Sequence, residues 1–499
     1  MSVPFRRLLV ANRSEIAIRV FRAATELGIS TIAVYAEEDK LSLHRFKADE
    51  AYQIGKGKGP VEAYLSIDEI LRVAKEAKAD AIHPGYGLLS ESPEFAEACA
   101  AAGIVFIGPS PKTLRMLGNK VDARNLAVSV GVPVMPASPP LPDDPEKVKA
   151  LAREVGYPVM LKASWGGGGR GMRPIDSEDA LLDAVFTAKR EAKAAFGKDE
   201  VYLEKLVRRA RHVEVQVLGD AHGTLVHLYE RDCSIQRRNQ KVIERAPAPY
   251  LDPATRQEMC AAALKIAGGT DYVGAGTVEF LMDVDSGKFY FIEVNPRVQV
   301  EHTVTEVICD LDIVKAQIRI AEGKRIGVPT DDGGYETGIP PQELISPRGH
   351  AMQCRITTEN PENNFIPDYG RIIAYRGATG FGIRIDGGTA YSGAVVTRWY
   401  DPLLEKVTAW ASTPAETIAR MERALREYRI RGVATNLPFL EAVLSHPKFR
   451  SNQYTTRFID ETPELFHLPP RRDRATKLLT YIADVTVNEI GRASCRERV

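Results

Sequence analysis

Residues 276–301 read GTVEFLMDVDSGKFYFIEVNPRVQVE, and this stretch says most about the fold. Thr277–Asp283 and Lys288–Asn295 have the apolar and aromatic content of strands, and Asp285-Ser286-Gly287 between them has turn chemistry. The segment therefore predicts an antiparallel hairpin, and folding it back about residue 286 sets Glu279 opposite Glu293 to within one residue. Cross-strand neighbours lie about 5 Å apart, so two carboxylates share one place. Like charges so close repel unless a cation neutralises them, and an all-oxygen ligand set suits Mg2+. Beyond Glu293 every second residue is polar: Glu293, Asn295, Arg297, Gln299 and Glu301. A period of two predicts that all five share one side of an extended chain, running from metal ligands into an arginine and a further carboxylate. A solvated edge strand gives the same alternation, but does not require a carboxylate facing it from the next strand.

Upstream, the first 115 residues alternate strand and helix signals. Leu8–Ala11 reads as a buried strand, followed by an amphipathic helix capped by Asn12 or Ser14 and ended by Gly28, then a strand at Ile29–Tyr35. The cycle repeats through helices at Ile67–Ala79 and Ser92–Ala102 and strands at Asp80–His83 and Ile104–Ile107. This pattern predicts a doubly wound parallel sheet, with ligands near the carboxyl ends of its strands, where His83-Pro84-Gly85-Tyr86-Gly87 falls. Pro133–Pro145 holds six prolines in thirteen residues and reads as a linker or irregular surface segment. From Tyr157 the pattern turns to longer strands and hairpins. A third section, 349–449, has strands at His350–Thr357, Arg371–Arg376 and Gly382–Asp386 before a helix at Pro414–Tyr428.

Lys162 ends an apolar strand and is followed by Gly166-Gly167-Gly168-Gly169-Arg170-Gly171. Backbone without side chains can close on phosphate oxygens while the lysine supplies charge, although a flexible linker has the same composition. Other candidates stay open on the residues alone. Arg231–Arg245 is either a solvated basic loop or an anion site containing Lys241. His212 is either a structural histidine or a ligand contact, and Arg355 reads as readily as an ordinary sheet arginine.

Composition narrows the function classes. Lys+Arg and Asp+Glu number 66 each, which argues against nucleic-acid coating or membrane-surface binding. The amino terminus lacks the apolar core of a secretory signal, and no run approaches the eighteen or so apolar residues of a membrane span. Six scattered cysteines never form C-x-x-C, as in a reducing compartment. A soluble cytoplasmic enzyme is predicted. A nucleotide-binding regulatory module would keep the glycine lid but lack a base. A dinucleotide-dependent oxidoreductase would need a glycine-rich turn after the first strand, where Ala11-Asn12-Arg13-Ser14 stands instead.

The chain from Leu8 to about Phe458 resembles biotin carboxylase, an ATP-grasp ligase, through ANRSEIAIRV, IHPGYGLLSE, KASWGGGGRGM, RHVEVQ, ERDCSIQRRNQK, GAGTVEF, FIEVNPRVQVEHTVTE and QCRITTE. The tail segments TTRFIDETPELF and RATKLLTYIADVTVN are similar to the stretch that, in the pyruvate carboxylase branch, leads into a carboxyltransferase domain. The acetyl-CoA and propionyl-CoA branches are the alternative, and a carbamoyl-phosphate synthetase-like ligase would share the nucleotide site. The resemblance implies an α/β and α+β architecture: an N-terminal Rossmann-like domain (1–119), an ATP-grasp domain with a glycine-rich lid (120–330) and a C-terminal, mainly antiparallel domain (331–458). A linker (459–490) toward the carboxyltransferase follows, and 491–499 (GRASCRERV) reads as non-native.

It further implies that ATP and bicarbonate form carboxyphosphate, which carboxylates biotin. Lys120, Lys162, Glu204, Lys205, Leu206, His212 and Gln236 would bind ATP under Gly166, Gly167, Gly168 and Gly169. Glu279, Glu293 and Asn295 would hold one or two Mg2+ ions, replaceable by Mn2+. Glu301 would act as base on bicarbonate held by Lys241, Arg297, Gln299 and the Val300 amide. Arg355 would stabilise the biotin enolate, with Tyr86 lining that site. Asn239 stands where many members carry histidine. The implied partners are bicarbonate, a biotin-bearing carrier domain, a carboxyltransferase domain and further copies of the chain, dimeric for this portion and tetrameric for the parent.

Overall fold

The computed structural model describes residues 4–163, 172–196, 199–468 and 478–487. Leu8–Val10 is too short an apolar run for a helix and lies fully buried in strand β1 (Arg7–Val10). With β2 (Ser30–Tyr35), β3 (Glu50–Gln53), β4 (Ala81–His83) and β5 (Val105–Phe106) it forms a parallel sheet in the order β3-β2-β1-β4-β5. Alternate β1 residues serve opposite faces. Leu9 joins Ile32, Ile70 and Phe95 on one side, while Leu8 and Val10 join Val20, Phe21 and Ile318 on the other. The expected doubly wound sheet is present.

The expected cap is not. The helix Ser14–Glu26 opens with Arg13 at the cap position and no side-chain cap bond. Asn12 instead donates its amide to Pro84 O at 2.7 Å and Tyr86 O at 2.8 Å, tying the HPGYG loop to the end of β1.

A small antiparallel sheet follows, β6 (Val159–Ala163) between β7 (Arg173–Ile175) and β8 (Val201–Lys205). Helices Pro145–Val155 and Leu181–Phe196 share a core with it through Val148, Leu161, Leu181 and Leu203. The proline-rich segment before it is a strap rather than a free linker. Val134 bridges Phe291, and Ala137 bridges Glu204. The glycine run Gly166–Gly169, Arg170 and Gly171 lies outside the described residues, as do 491–499.

The third sheet has eight strands: β9 (Ala210–Gly219), β10 (Leu225–Arg237), β11 (Gln240–Ala246), β12 (Gly274–Asp283), β13 (Phe289–Asn295), β14 (His350–Thr357), β15 (Ile383–Gly387) and β16 (Leu403–Ala411). Their order is β13-β12-β9-β10-β11-β14-β16-β15, antiparallel throughout. The β11–β14 ladder, Ile243 opposite Cys354 through Ala246 opposite Ala351, carries this sheet across residue 330, where the sequence suggested a domain boundary. Gly276 on β12 lets Tyr272 pack flat against the backbone, where a Cβ would stand 2.1 Å from the phenolic oxygen.

Two readings of the third section change. Arg371–Arg376 is not one strand: Gly370–Arg371 and Ala374–Arg376 enter different two-stranded pairings. Ile459 and Leu465, within the stretch read as linker, are buried with Val407, Met421 and Phe439 in the C-terminal core. No helix among the described residues is long and apolar enough to cross a membrane.

Candidate active site

The lateral register of the eight-stranded sheet builds the site. Glu293 on β13 pairs with Glu279 on β12, Glu279 with Glu214 on β9, and Glu214 with Arg231 on β10. Directly paired residues project from the same face, so three carboxylates and an arginine form one cross-strand row. The hairpin predicted from the sequence is present, with its two glutamates in direct register and a bulge immediately after Glu279.

Cations make this arrangement tolerable. Lys241 on β11 reaches over the row, its ammonium 2.5 Å from Glu214 Oε2, 2.8 Å from Glu279 Oε1 and 2.7 Å from Glu301 Oε1. Burial alone would push the Lys241 pKa down, but the three carboxylates outweigh it and hold it well above lysine's ordinary value. Glu279 is likewise desolvated, yet Lys241 and His212 keep it well below the usual carboxylate range. Arg231 is fully buried and donates to Glu214, Gln216, Thr277, Gln299 and Thr305 at 2.6–3.0 Å. The basic stretch 231–245 is thus a hairpin of β10 and β11 rather than a solvated loop, with its turn at Arg238–Asn239.

The single extended face expected for 293–301 ends early. β13 stops at Asn295, because Pro296 has no N–H to continue the ladder. The chain then bends, with Arg297 N donating to Asn295 O and His302 N to Gln299 O, and Glu301 becomes the cap position of the helix His302–Cys309. Gln299 and Glu301 still reach the row, Gln299 through Glu279 Oε1 at 3.1 Å. Arg297 meets the row through Asn295 rather than directly: its guanidinium donates to Asn295 Oδ1 at 2.9 Å and Glu91 Oε1 at 3.0 Å, while the Asn295 amide donates to Glu279 Oε1 at 3.0 Å.

Arg355 on β14 closes the other side of Glu301, with Nη2 at 3.0 Å from Glu301 Oε2 and Nε at 2.6 Å from Glu244 Oε1. Burial opposes ionisation of Glu301, but Lys241, Arg355 and Arg231 hold its carboxyl far below the ordinary range. Tyr86 lies at the end of β4 and donates its hydroxyl to the buried Glu15.

The remaining candidates form a second group. Lys162 and Glu204 are ion-paired on the small sheet. Lys205 turns its ammonium onto Gly156 O and Tyr157 O, both at 2.8 Å, while Leu206 N donates to Pro158 O. Lys120 stands 3.4 Å from Glu293 Oε2 across to the large sheet. His212 Nε2 lies 2.9 Å from Glu279 Oε2, and Gln236 is the register partner of Lys241. Lys120 and Lys241 thus reach the carboxylate row, whereas Lys162 and Lys205 are engaged within the small sheet.

Two carboxylates in register and the Asn295 carboxamide offer only oxygen donors, which fits a hard dication. Glu293 is about one-third exposed and Glu279 is buried, so one ligand is open to an arriving ion and the other is held ionised in advance.

Glu214, Arg231 and Glu244 escaped the sequence reading. Glu214 was legible, two residues beyond His212 on an alternating strand and hence on its face. Glu244 had no local signal, because only the β11–β14 ladder sets it opposite Gln353 and beside Arg355.

Three family models match in chain order: the biotin carboxylase N-terminal domain over 4–114, the carbamoyl-phosphate synthase L chain ATP-binding domain over 119–328, and the biotin carboxylase C-terminal domain over 353–461. The chain is 54% identical over 483 residues to the pyruvate carboxylase of Bacillus subtilis, covering 97% of this chain but 41% of that protein. A structure of Rhizobium etli pyruvate carboxylase with the allosteric activator acetyl coenzyme-A superposes at TM-score 0.88 and 70% identity, over 97% of this chain and 43% of that one. The biotin carboxylase domain of Hydrogenobacter thermophilus 2-oxoglutarate carboxylase, in complex with MgADP, ADP and bicarbonate, superposes at TM-score 0.85 and 44% identity, over 93% of this chain and 99% of that one.

Proposed function

The chain belongs to the biotin carboxylase family of ATP-grasp ligases, and we propose that it carboxylates biotin with bicarbonate and ATP, as the first half-reaction of a pyruvate carboxylase. The observation that carries this reading is Glu301, a buried carboxylate gripped by Lys241 at 2.7 Å and Arg355 at 3.0 Å beside the register pair Glu279 and Glu293. Bicarbonate is a poor nucleophile until deprotonated, and a positioned carboxylate between two cations suits that task.

In this mechanism ATP binds Lys120, Lys162, Glu204, Lys205, Leu206, His212 and Gln236. Glu279, Glu293 and Asn295 would hold Mg2+, one ion or two, with Mn2+ able to replace it. The dication, when bound, neutralises charge on the phosphates during phosphoryl transfer. Bicarbonate enters against Lys241, Arg297, Gln299 and the Val300 amide. Lys241 and Arg355 keep Glu301 ionised but also weaken it as a base, since their charge stabilises its anion. Transfer of Lys241 from Glu301 to the incoming anion restores the basicity of Glu301 at the moment it is needed. Glu301 takes the proton from bicarbonate, the bicarbonate oxygen attacks the γ-phosphorus, and ADP leaves with carboxyphosphate formed. Carboxyphosphate then breaks into CO2 and phosphate, the phosphate takes the ureido N–H proton of biotin, and the resulting enolate, stabilised by Arg355 and lying against Tyr86, attacks CO2 to give carboxybiotin.

The parent reaction is carboxylation of pyruvate to oxaloacetate, with a biotin-bearing carrier and a carboxyltransferase as partner domains. A dimer of this portion within a tetrameric parent, working in the cytoplasm, completes the proposal. The free cysteines among the described residues agree with a reducing compartment.

The test is ATP hydrolysis by the chain with Mg2+, with and without bicarbonate and free biotin. Bicarbonate-dependent ADP release and carboxybiotin formation are expected; hydrolysis indifferent to bicarbonate refutes the reading.

A further inference from the structure

Lys406 is a fully buried lysine on β16 that the mechanism above does not use. Its register partners are Arg355 on β14 and Asp386 on β15, so its side chain leaves the sheet on the face of Arg355. The ammonium donates to Val300 O at 2.9 Å and lies 3.1 Å from Glu15 Oε2. It also stands 5.9 Å from the centroid of the Tyr86 ring, and the Tyr86 hydroxyl donates to the same Glu15. Asp386 is engaged by Arg384, whose Nε lies at 2.8 Å.

One cation therefore joins three regions of the chain: the first helix and HPGYG loop, the turn before Glu301, and the C-terminal strands. The approach is close by construction. A Cβ on Gly388 would stand 2.1 Å from Ser14 Oγ. Burying an ammonium carries a large desolvation penalty, and an apolar side chain of equal volume often stabilises as well, so packing alone does not account for a lysine here. Its hydrogen bond has a specific consequence. The Val300 carbonyl belongs to the same planar peptide as the Glu301 N–H, so fixing that oxygen fixes the plane from which the Glu301 side chain departs. Through Glu15 the same ammonium orients the Tyr86 hydroxyl.

We propose that Lys406 is a positioning residue that couples the Tyr86 side of the site to the Val300–Glu301 side, keeping the biotin and bicarbonate subsites in register. This rests on the site reading given under Proposed function. It predicts selective loss, because the residues assigned to ATP on β8 and β9 share no contact with Lys406.

The experiment compares the wild-type chain with the double variant E15Q/K406M, which removes both buried charges and leaves neither orphaned. KM is measured for ATP, bicarbonate and free biotin, together with the thermal midpoint. A rise of tenfold or more in KM for both bicarbonate and biotin, with KM for ATP within twofold, is the expected result. Unchanged KM values, or a parallel loss across all three substrates, overturn the proposal. Where the double variant yields no folded protein, E15Q alone, which leaves Lys406 on Val300 O but removes its ionic link toward Tyr86, should raise KM for biotin with KM for ATP within twofold; an unchanged KM for biotin, or an equal rise for ATP, overturns the proposal. A wild-type chain without bicarbonate-dependent hydrolysis refutes the underlying site reading before any variant is compared, which separates that failure from this one.

Discussion

Glu301→Gln isolates the proposed base, because the surrounding contacts limit the collateral damage. Glutamine keeps the volume and one oxygen of the buried side chain. Lys241 loses one of three carboxylates but keeps Glu214 at 2.5 Å and Glu279 at 2.8 Å, and Arg355 keeps Glu244 at 2.6 Å. Neither cation is orphaned, so the cost to stability stays below the roughly 3–5 kcal/mol of leaving a buried charge unpaired. The cost to catalysis is larger. Loss of a positioned general base removes about 10²–10⁴-fold in rate, or roughly 3–5 kcal/mol of transition-state stabilisation. The residues assigned to nucleotide do not include Glu301, so affinity for MgADP should stay within about twofold. The assay is bicarbonate-dependent ATP hydrolysis followed by ADP release, with MgADP binding by calorimetry and a thermal melt on the same preparation. A variant retaining more than a tenth of wild-type kcat shows that Glu301 is not the base. One that also loses MgADP binding shows that Glu301 organises the whole site, and the assigned division of roles falls.

Arg355→Ser should spare bicarbonate-dependent ATP cleavage while suppressing carboxybiotin formation at least tenfold, raising ATP cleaved per biotin carboxylated; equal loss of both contradicts the role given to Arg355. Glu293→Gln, at a partly exposed ligand, should raise the Mg2+ concentration for half-maximal activity about tenfold without moving the thermal midpoint, and an unchanged Mg2+ dependence removes Glu293 from the metal site. Glu405, buried beside Tyr375 at 2.7 Å, has its carboxyl pushed by burial from 4.5 up to about 7. A raised acid pKa gives stability that is present below about pH 4.5 and lost as pH rises toward 7, about 3 kcal/mol in total at 1.36 kcal/mol per unit. Glu405→Gln should therefore gain on wild type in urea melts between pH 5 and 7 and hold a constant advantage above pH 7; parallel curves across that range refute it.

The sequence by itself determined the local architecture. The apolar run at Leu8–Ala11 and the helix periods after it are short-range signals, and they suffice for a parallel sheet with helices on both faces. The Asp285-Ser286-Gly287 turn sets the hairpin register, so Glu279 opposite Glu293 is legible from the residues alone. The period of two from Glu293 to Glu301 was legible too, but it misled at Pro296, where the missing N–H ends the strand and sends Arg297 toward Glu91. Residue spacing reports which side a chain would face if it stayed extended, and cannot report where it bends.

Tertiary structure decided everything that depends on strands distant in sequence becoming neighbours. Glu214, Glu279 and Glu301 lie up to 87 positions apart by their numbering, and they meet at one ammonium only because β9 lies between β12 and β10. The β11–β14 ladder crosses the boundary expected at residue 330 and brings Glu244 to Arg355. The buried charges balance across strands rather than along them: each carboxylate of the row is compensated by a cation contributed from another element, and that pairing is fixed by register.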